Sequence, residues 1–174
     1  MLWTIGHSTL TEQQFTAILR AAGIEHLVDI RHFPGSRYNP QFNSERMQVW
    51  LPAAGISYRH EVRLGGYRKA IEGYVSPNTS LRVKSFRNYA DYMGESPEWR
   101  AAMAELLAEA AQYKTVIMCS EAQYTRCHRR LVADACLLLY GEKVRHLRRY
   151  GDPEIHRLTS GVRTTGLYVL KYDQ

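Results

Sequence analysis

Two cysteines stand in a short segment whose composition is typical of a reactive site. Cys119 and Glu121 end and follow the apolar run TVIMC, and Cys127, His128 and Arg129 come a few residues later. A cysteine between a strand and a helix lies near the positive end of the helix dipole, and nearby arginines lower its pKa further. We therefore expect Cys119 to be a thiolate nucleophile and Glu121, if it is desolvated, to be a general acid or base. The alternatives are that Cys119 is merely buried and that Glu121 caps the helix.

The same cysteines offer a second chemistry, metal binding. Cys127 and His128 could join Cys119 as ligands, with His7 or Asp29 as the fourth. The spacing matches no zinc ribbon or zinc finger, so the sequence implies no particular cofactor and no defined metal site. Metal or thiol-redox chemistry at Cys119 and Cys127 stays an alternative.

Two other apolar runs also end in polar residues. His7 follows the first run and could shuttle a proton or donate a hydrogen bond, or it could be a turn residue bound to backbone. Asp29 and Arg31 end the second run on one side of the chain, because side chains alternate along a strand. We expect Asp29 to assist catalysis, with a structural ion pair to Arg31 as the alternative.

The surrounding loops carry groups that suit an anionic substrate. Arg129 and Arg31 would grip the anion at the helix start, Gly65 and Gly66 would let the backbone approach the ligand, and tyrosines such as Tyr38 would stack on a base. The residues expected to contact the substrate are Ser8, Thr9, Arg31, Ser36, Tyr38, Gly65, Gly66, Arg68, Cys127, His128 and Arg129.

The charge of the chain points to the same class of partner. Its 174 residues carry a net charge of +6, from 23 basic against 17 acidic residues, and 18 of the basic residues are arginines. Arginine binds phosphate with a planar, bidentate group, so we expect an anionic ligand such as a nucleotide or nucleic acid. No apolar run approaches the ~18–20 residues that span a bilayer, and no signal peptide is evident. Three cysteines, an odd and sparse set, favour the cytoplasm.

The elements that must position these residues alternate between short apolar runs and amphipathic stretches. This pattern predicts a single α/β domain over residues 1–174, a three-layer α/β/α sandwich with a mainly parallel, Rossmann-like sheet. Predicted strands are Leu2–Gly6, His26–Arg31, Ile56–Val62, Thr115–Cys119 and Lys143–Leu147, with a last one near Leu167–Val169. Predicted helices are Thr11–Ala22, Ser44–Ala54, Phe86–Met93, Pro97–Gln112 and Tyr124–Leu139. In such sheets the carboxyl ends of the strands form the ligand site, so the three polar clusters should meet at one edge.

Five motifs in order carry a family resemblance: TIGHST, LVDIRHFPGS, GISYRH followed by LGG, FRNYADYM, and VIMCSE followed by CHRRL. Over about residues 3–149 the chain resembles the domain of unknown function 488 family, DUF488. The resemblance implies a cytosolic α/β fold and leaves 150–174 as a C-terminal extension or edge strand. One departure lies between Glu121 and Cys127, where Gln123–Thr125 replaces an expected proline. The motif positions are His7, Ser8, Thr9, Asp29, Arg31, Pro34, Ser36, Gly65, Gly66, Cys119, Glu121, Cys127, His128 and Arg129.

Three functions follow from these residues. The first is an enzyme, hydrolytic or glycosidase-like, that acts on a phosphate-bearing substrate such as a nucleotide or nucleic acid. The second is a nucleotide or nucleic-acid binding module without catalysis. The third is a thiol-redox or metal-binding protein that uses Cys119 and Cys127.

Overall fold

A six-stranded sheet forms the centre of the molecule. The structure, a computed structural model, describes residues 1–166 and 169–174. The strands lie in the order β3-β2-β4-β1-β5-β6, and every neighbouring pair is parallel except β5 with β6. The predicted α/β class with a mainly parallel, Rossmann-like sheet is confirmed. The strands are β1 (Leu2–Gly6), β2 (His26–Asp29), β3 (Ser57–His60), β4 (Thr115–Cys119), β5 (Val144–His146) and β6 (Glu154–Ile155).

Five helices cover the two faces of this sheet. They are α1 (Glu12–Ala21), α2 (Ser44–Ala53), α3 (Lys84–Glu95), α4 (Pro97–Gln112) and α5 (Arg129–Tyr140). Along β4 the side chains alternate between two cores: Val116 and Met118 pack with α1 and α2, whereas Ile117 packs with α3, α4 and α5. A strand buried on both faces needs apolar residues at every position, which explains the continuous run TVIMC.

The prediction for the start of α5 is wrong by five residues. Tyr124–Arg126 forms a separate 3-10 turn, and Cys127 has extended backbone, with φ −129° and ψ 150°. The helix begins only after His128, its N-terminal capping position, and ends at Gly141 in the left-handed conformation that glycine favours. The delayed start leaves Cys127 in the loop between β4 and α5.

The last part of the chain adds an edge strand and a separate hairpin. The edge strand is β6, and β7 (Val162–Thr164) pairs with β8 (Leu170–Tyr172) in an antiparallel ribbon. The predicted strand at Leu167–Val169 falls partly on residues 167 and 168, which lie outside the described residues. Within the described ranges, no helix is both long and apolar enough to cross a bilayer.

The carboxyl ends of β1, β2 and β4 meet at one edge of the sheet, as predicted. Backbone bonds join the segments that follow them: the Ser8 amide donates to the Ser120 carbonyl at 2.9 Å, and the Ile30 amide donates to the Met118 carbonyl at 3.0 Å. The three polar clusters therefore form one surface.

Candidate functional site

Two clefts open side by side at this edge. The hydroxyl cleft has a volume of about 400 Å³ and is named for Ser8, Thr9, Ser36 and Ser120 in its wall. The thiol cleft has a volume of about 310 Å³ and is lined by Cys119, Cys127 and His128, with aromatic walls from Phe33, Tyr67 and Phe86. Both clefts share four lining residues: Arg31, Phe33, Ser120 and Glu121.

The two cysteines and one histidine form a compact cluster in the thiol cleft. The Sγ atoms of Cys119 and Cys127 and one ring nitrogen of His128 all lie within 4.8 Å of one another. The Nε2–H of His128 donates to the Ile30 carbonyl at 3.2 Å, which turns the Nδ1 lone pair toward the two sulfurs. Nδ1 is 3.6 Å from the sulfur of Cys127 and 3.9 Å from that of Cys119.

The geometry favours Cys127, and not the expected Cys119, as the thiolate. The pKa of Cys119 is raised to about 12, chiefly by its hydrogen bond with Cys127 and secondly by burial. Burial also opposes a charge on Cys127, but hydrogen bonding from Cys119 and the positive charge of Arg129 outweigh it and lower the pKa of Cys127 to about 6. These directions, together with the hydrogen bond that Arg129 donates to the Cys127 sulfur at 3.3 Å, favour Cys127 as the thiolate and Cys119 as its protonated partner.

Arg129 supports this thiolate from inside the protein, so its predicted place in an anion clamp is also wrong. The side chain is only 1% exposed. Its Nε–H donates to the Cys127 sulfur at 3.3 Å, one Nη donates to Thr4 Oγ1 at 3.3 Å, and the other donates to the Glu121 carbonyl. With every nitrogen bound to protein acceptors, Arg129 positions Cys127 and the loop after β4.

A buried chain of hydrogen bonds continues from Arg129 to α5. The Thr4 hydroxyl donates to Nδ1 of His146 at 2.7 Å, and Nε2 of His146 donates to Nδ1 of His156 at 3.0 Å. Nε2 of His156 then donates to a carboxylate oxygen of Asp134 at 2.9 Å. In this order each hydrogen-bond donor meets one acceptor, and the Asp134 carboxylate is the last acceptor. The Thr4 hydroxyl gives its only proton to His146, so its oxygen is left to accept from Arg129.

Asp29 and Arg31 form a buried ion pair, which confirms the structural alternative for these residues. Nε and Nη2 of Arg31 donate to the two carboxylate oxygens of Asp29 at 2.8 and 2.5 Å. Asp29 is fully buried and also accepts from the Tyr58 hydroxyl at 3.0 Å. Nη1 of Arg31 lies 3.3 Å from Nε2 of His7, and Arg31 lines both clefts. Asp29 and His7 are therefore occupied and do not supply a fourth metal ligand.

His7 has the geometry of a turn residue bound to backbone. Its Nδ1–H donates to the Ser8 carbonyl at 2.9 Å, its Nε2 accepts from Arg31, and its ring stacks on Phe42 with centroids 4.3 Å apart. Burial lowers the pKa of His7 to about 4. The imidazole is neutral at neutral pH and holds the end of Arg31, which is a positioning role.

The buried, neutral His7 predicts a loss of stability in mild acid. The unfolded chain binds a proton at this histidine below pH ~6.5 and the folded chain only below about 4, so the free energy of unfolding falls as the pH drops through this window. The substitution His7→Asn keeps a donor for the Ser8 carbonyl but does not titrate. Urea denaturation measures the free energy of unfolding at pH ~6.5 and at pH ~4. Between these two values, we expect it to fall by up to about 3 kcal/mol more in the unsubstituted chain than in His7→Asn. Equal losses would contradict this assignment.

Glu121 is the one carboxylate that both clefts share. Its side chain is exposed and forms no hydrogen bond or ion pair with the part of the chain that the structure describes. It does not cap α5, because His128 holds the capping position and the first turn of α5 contains no acidic residue. Of the two predicted places for Glu121, the structure supports the cleft.

The other predicted substrate contacts divide into three groups, and Gly66, in the third, lines the thiol cleft. Ser8, Thr9 and Ser36 line the hydroxyl cleft. Tyr38, which is 94% exposed, and Arg68 line neither cleft, and Arg68 instead donates to the carbonyls of Val62 and Arg63. Gly65 and Gly66 are close to protein groups: added Cβ atoms would lie 2.9 Å from the backbone of His32 and 2.5 Å from Nδ1 of His128.

The contact between Gly66 and His128 predicts that a methyl group at position 66 displaces the imidazole. We expect Gly66→Ala to lower the free energy of unfolding by about 1–3 kcal/mol in urea denaturation. Gly35→Ala is the matched control, because an added Cβ meets nothing within 4 Å there. A Gly66→Ala protein as stable as Gly35→Ala would show that this packing is not needed.

The sequence did not predict the residues that support the site only through hydrogen bonds to other residues. Thr4, His146 and Asp134 come from β1, β5 and α5, His156 follows β6, and no spacing links the four. Phe33 was also missed, although an exposed aromatic residue beside His32 in a strand-end loop was a usable signal. Phe33 is 67% exposed, and its ring centroid lies 5.6 Å from that of Tyr67, which is 58% exposed.

Comparison with known proteins gives a family but no function. The model of the family described as Domain of unknown function DUF488 matches residues 11–136, which include Asp29, Arg31, Cys119 and the segment 127–129. The predicted resemblance was wider, about 3–149, so His7 lies outside the matched range. Comparisons with curated proteins and with solved structures found no significant match. Because the match covers more than two thirds of its length, the chain belongs to the DUF488 family, a domain of unknown function.

Proposed function

We propose that this protein is a thiol-dependent enzyme that acts on a phosphate-bearing substrate, with Cys127 as the nucleophile. One observation carries the proposal: the sulfur held by Arg129 and Cys119 belongs to a residue that lines an open cleft. A cysteine with a lowered pKa in a positively charged, accessible setting is the usual form of a reactive thiol.

The reaction that fits these groups is a two-step hydrolysis. The Cys127 sulfur forms a bond to the electrophilic atom of the substrate while the bond from that atom to the leaving group breaks, and the Glu121 carboxyl group, protonated once the bound substrate excludes water from it, gives the leaving group a proton. The Glu121 carboxylate then takes a proton from water, the water oxygen bonds to the substrate, and the bond to sulfur breaks. The products are the two halves of the substrate, and the thiolate is restored.

The hydroxyl cleft supplies a place for the phosphate. Ser8, Thr9, Ser36 and Ser120 bring hydroxyl groups to its wall, and Arg31 brings a guanidinium. Hydrogen bonds from a charged donor to a phosphate are stronger than those between neutral groups. Because Arg31 and Glu121 line both clefts, a phosphate bound in one would hold the rest of the substrate in the other.

Hydrolysis of a panel of nucleotides and short oligonucleotides tests the proposal. We expect Cys127→Ser to lower the rate on the best substrate by at least about a hundredfold. Cys136→Ser is the matched control, because Cys136 is fully buried in the core between α5 and the sheet and should leave the rate nearly unchanged in folded protein. A Cys127→Ser protein with the full rate would exclude this nucleophile.

A metal centre is the second candidate, and the orientation of His128 favours it. The Cys119, Cys127 and His128 ligand atoms lie within 4.8 Å, and a ring nitrogen bound to a backbone carbonyl is the usual support of a metal-binding histidine. These residues fit a zinc ion with an open fourth position toward the cleft. Bound zinc would supply a Lewis acid and would need both sulfurs as thiolates.

Metal analysis of the purified protein separates the two candidates. A metal centre predicts one equivalent of zinc, lost in both Cys119→Ala and Cys127→Ala. A thiol enzyme predicts full activity after treatment with a chelator and a reactive Cys127 in Cys119→Ala. Zinc retained by Cys119→Ala at full stoichiometry would contradict the three-residue centre.

A further inference from the structure

A third and larger concavity lies beside the thiol cleft. This arginine groove has a volume of about 1160 Å³, and its walls come from three segments, 79–86, 124–130 and 154–160. These segments are the loop before α3 with its first turn, the turn before α5 with its first residues, and the chain around and after β6. The volume exceeds the ~300–1,000 Å³ that is typical of small-molecule sites, so the groove suits an extended ligand.

The groove gathers arginines that have no carboxylate partner. Arg82, Arg126, Arg130 and Arg157 all line it, and none forms an ion pair with the described residues. Arg59 and Arg63, by contrast, each contact glutamates that neutralise their charge. Four unpaired guanidinium groups around one concavity attract a ligand with several negative charges.

The one acidic residue of the groove is already bound by other groups, and two polar atoms of the groove have no partner in the part of the chain that the structure describes. The acidic residue, Glu154, accepts a hydrogen bond from the Tyr124 hydroxyl at 3.1 Å and faces Arg148 at 4.0 Å. The Oγ of Ser80 and the Nε of Arg130 are buried atoms without a hydrogen-bond partner among the described residues. Because both atoms are buried, they can donate to phosphate oxygens only after their side chains turn toward the groove.

The groove continues into the thiol cleft. Ser85, Phe86 and Arg126 line both, so a chain of phosphates along the groove would lead to Cys127. At the far side of the thiol cleft, the exposed rings of Phe33 and Tyr67 offer a surface on which a base can stack. A basic groove that leads to exposed aromatic rings is the common arrangement of proteins that bind single-stranded nucleic acid.

We infer that the arginine groove binds single-stranded nucleic acid and guides one nucleotide into the thiol cleft. Cys127 is 4% exposed in the cleft wall, so only a base or sugar outside a helical stack can reach it, which excludes an intact duplex. The groove's binding function stands alone, but the delivery of a nucleotide to Cys127 rests on the proposed function.

Fluorescence anisotropy with labelled oligothymidylate, oligouridylate and a duplex of the same length tests this inference. The groove variant, Arg82→Ala with Arg157→Ala, removes two exposed cations. Its matched control, Arg20→Ala with Arg46→Ala, removes two charges from α1 and α2 on the opposite face of the sheet. We expect the groove variant to bind a single strand at least about tenfold more weakly at low salt and to lower the salt slope by about 1.4, or ~0.7 for each phosphate contact. The control should bind within about twofold of the unsubstituted chain.

Three results would overturn the inference: no salt-dependent binding of either single strand, equal losses in the groove variant and its control, or a duplex that binds as tightly as a single strand. A preference between the two single strands distinguishes RNA from DNA as the ligand. Cys136→Ser, at a buried cysteine that lines none of the three concavities, should bind as the unsubstituted chain does. Binding by a protein without Cys127-dependent turnover would thus reject the proposed function and leave the groove assignment intact.

Discussion

Replacing Arg129 with lysine is expected to raise the pKa of Cys127 from about 6 toward the ordinary value of ~8.5. Lysine keeps the positive charge but lacks the planar group that reaches the Cys127 sulfur, Thr4 and the Glu121 carbonyl together. The fraction of Cys127 thiolate at pH ~7 should therefore fall about 30-fold. The ultraviolet absorbance of the thiolate, followed through a pH titration, measures this change.

The free energy of unfolding gives a second measure of how much Arg129 contributes to the site. Arg129→Ala leaves buried acceptors without their donor, and we expect it to lose about 2–5 kcal/mol in urea unfolding. Arg130→Ala is the neighbouring control, because Arg130 is only partly buried and its guanidinium packs over Phe86. A titration midpoint of Cys127 that stays near 6 in Arg129→Lys would show that Arg129 does not hold the thiolate.

Removal of the Asp29 carboxylate is expected to be the most damaging single change at this edge of the sheet. Asp29→Ala leaves the guanidinium of Arg31, which is 4% exposed, without a counter-ion. Breaking a buried pair from one side costs about 3–5 kcal/mol, so much of the stability of a domain of this size would be lost. Urea unfolding, or the thermal midpoint if the variant is too unstable, measures the loss.

The pair of Arg163 and Asp173 provides the matched control. Its geometry is similar, with two hydrogen bonds of 2.7 Å, but its side chains are 40% and 22% exposed. Because water screens such a pair, Asp173→Ala should change the unfolding free energy little. If Asp29→Ala and Asp173→Ala lowered the free energy of unfolding by similar amounts, burial would not explain the contribution of the Asp29–Arg31 pair to stability.

Elements with strong local signals were predicted to the residue. The strands Leu2–Gly6 and Thr115–Cys119 and the helix Pro97–Gln112 have the predicted bounds. Each is a continuous apolar run or an amphipathic stretch with a capping residue, so local pattern alone defines it. The meeting of three strand ends followed from the parallel sheet, since topology determines that edge.

The errors share a different cause, contacts between residues far apart in the chain. The residues beside Cys127 bond to distant parts of the chain, since His128 donates to the Ile30 carbonyl and Arg129 donates to Thr4, and helical propensity does not report these bonds. Arg129 turns inward because Gly6 leaves room: a Cβ there would lie 2.8 Å from an Arg129 nitrogen. Which cysteine ionises depends on the same arrangement, so the sequence alone favoured Cys119.

The alkylation of each cysteine as a function of pH tests the central claim most directly. The reduced protein, freed of metal by a chelator, would be treated with iodoacetamide, and the modified peptides would be counted by mass spectrometry, with the buried Cys136 as an internal reference. We predict that modification of Cys127 rises with a midpoint near pH 6, while Cys119 and Cys136 stay unmodified near neutral pH. A midpoint for Cys127 at ~8.5 or above, or faster modification of Cys119, would contradict a thiolate at Cys127.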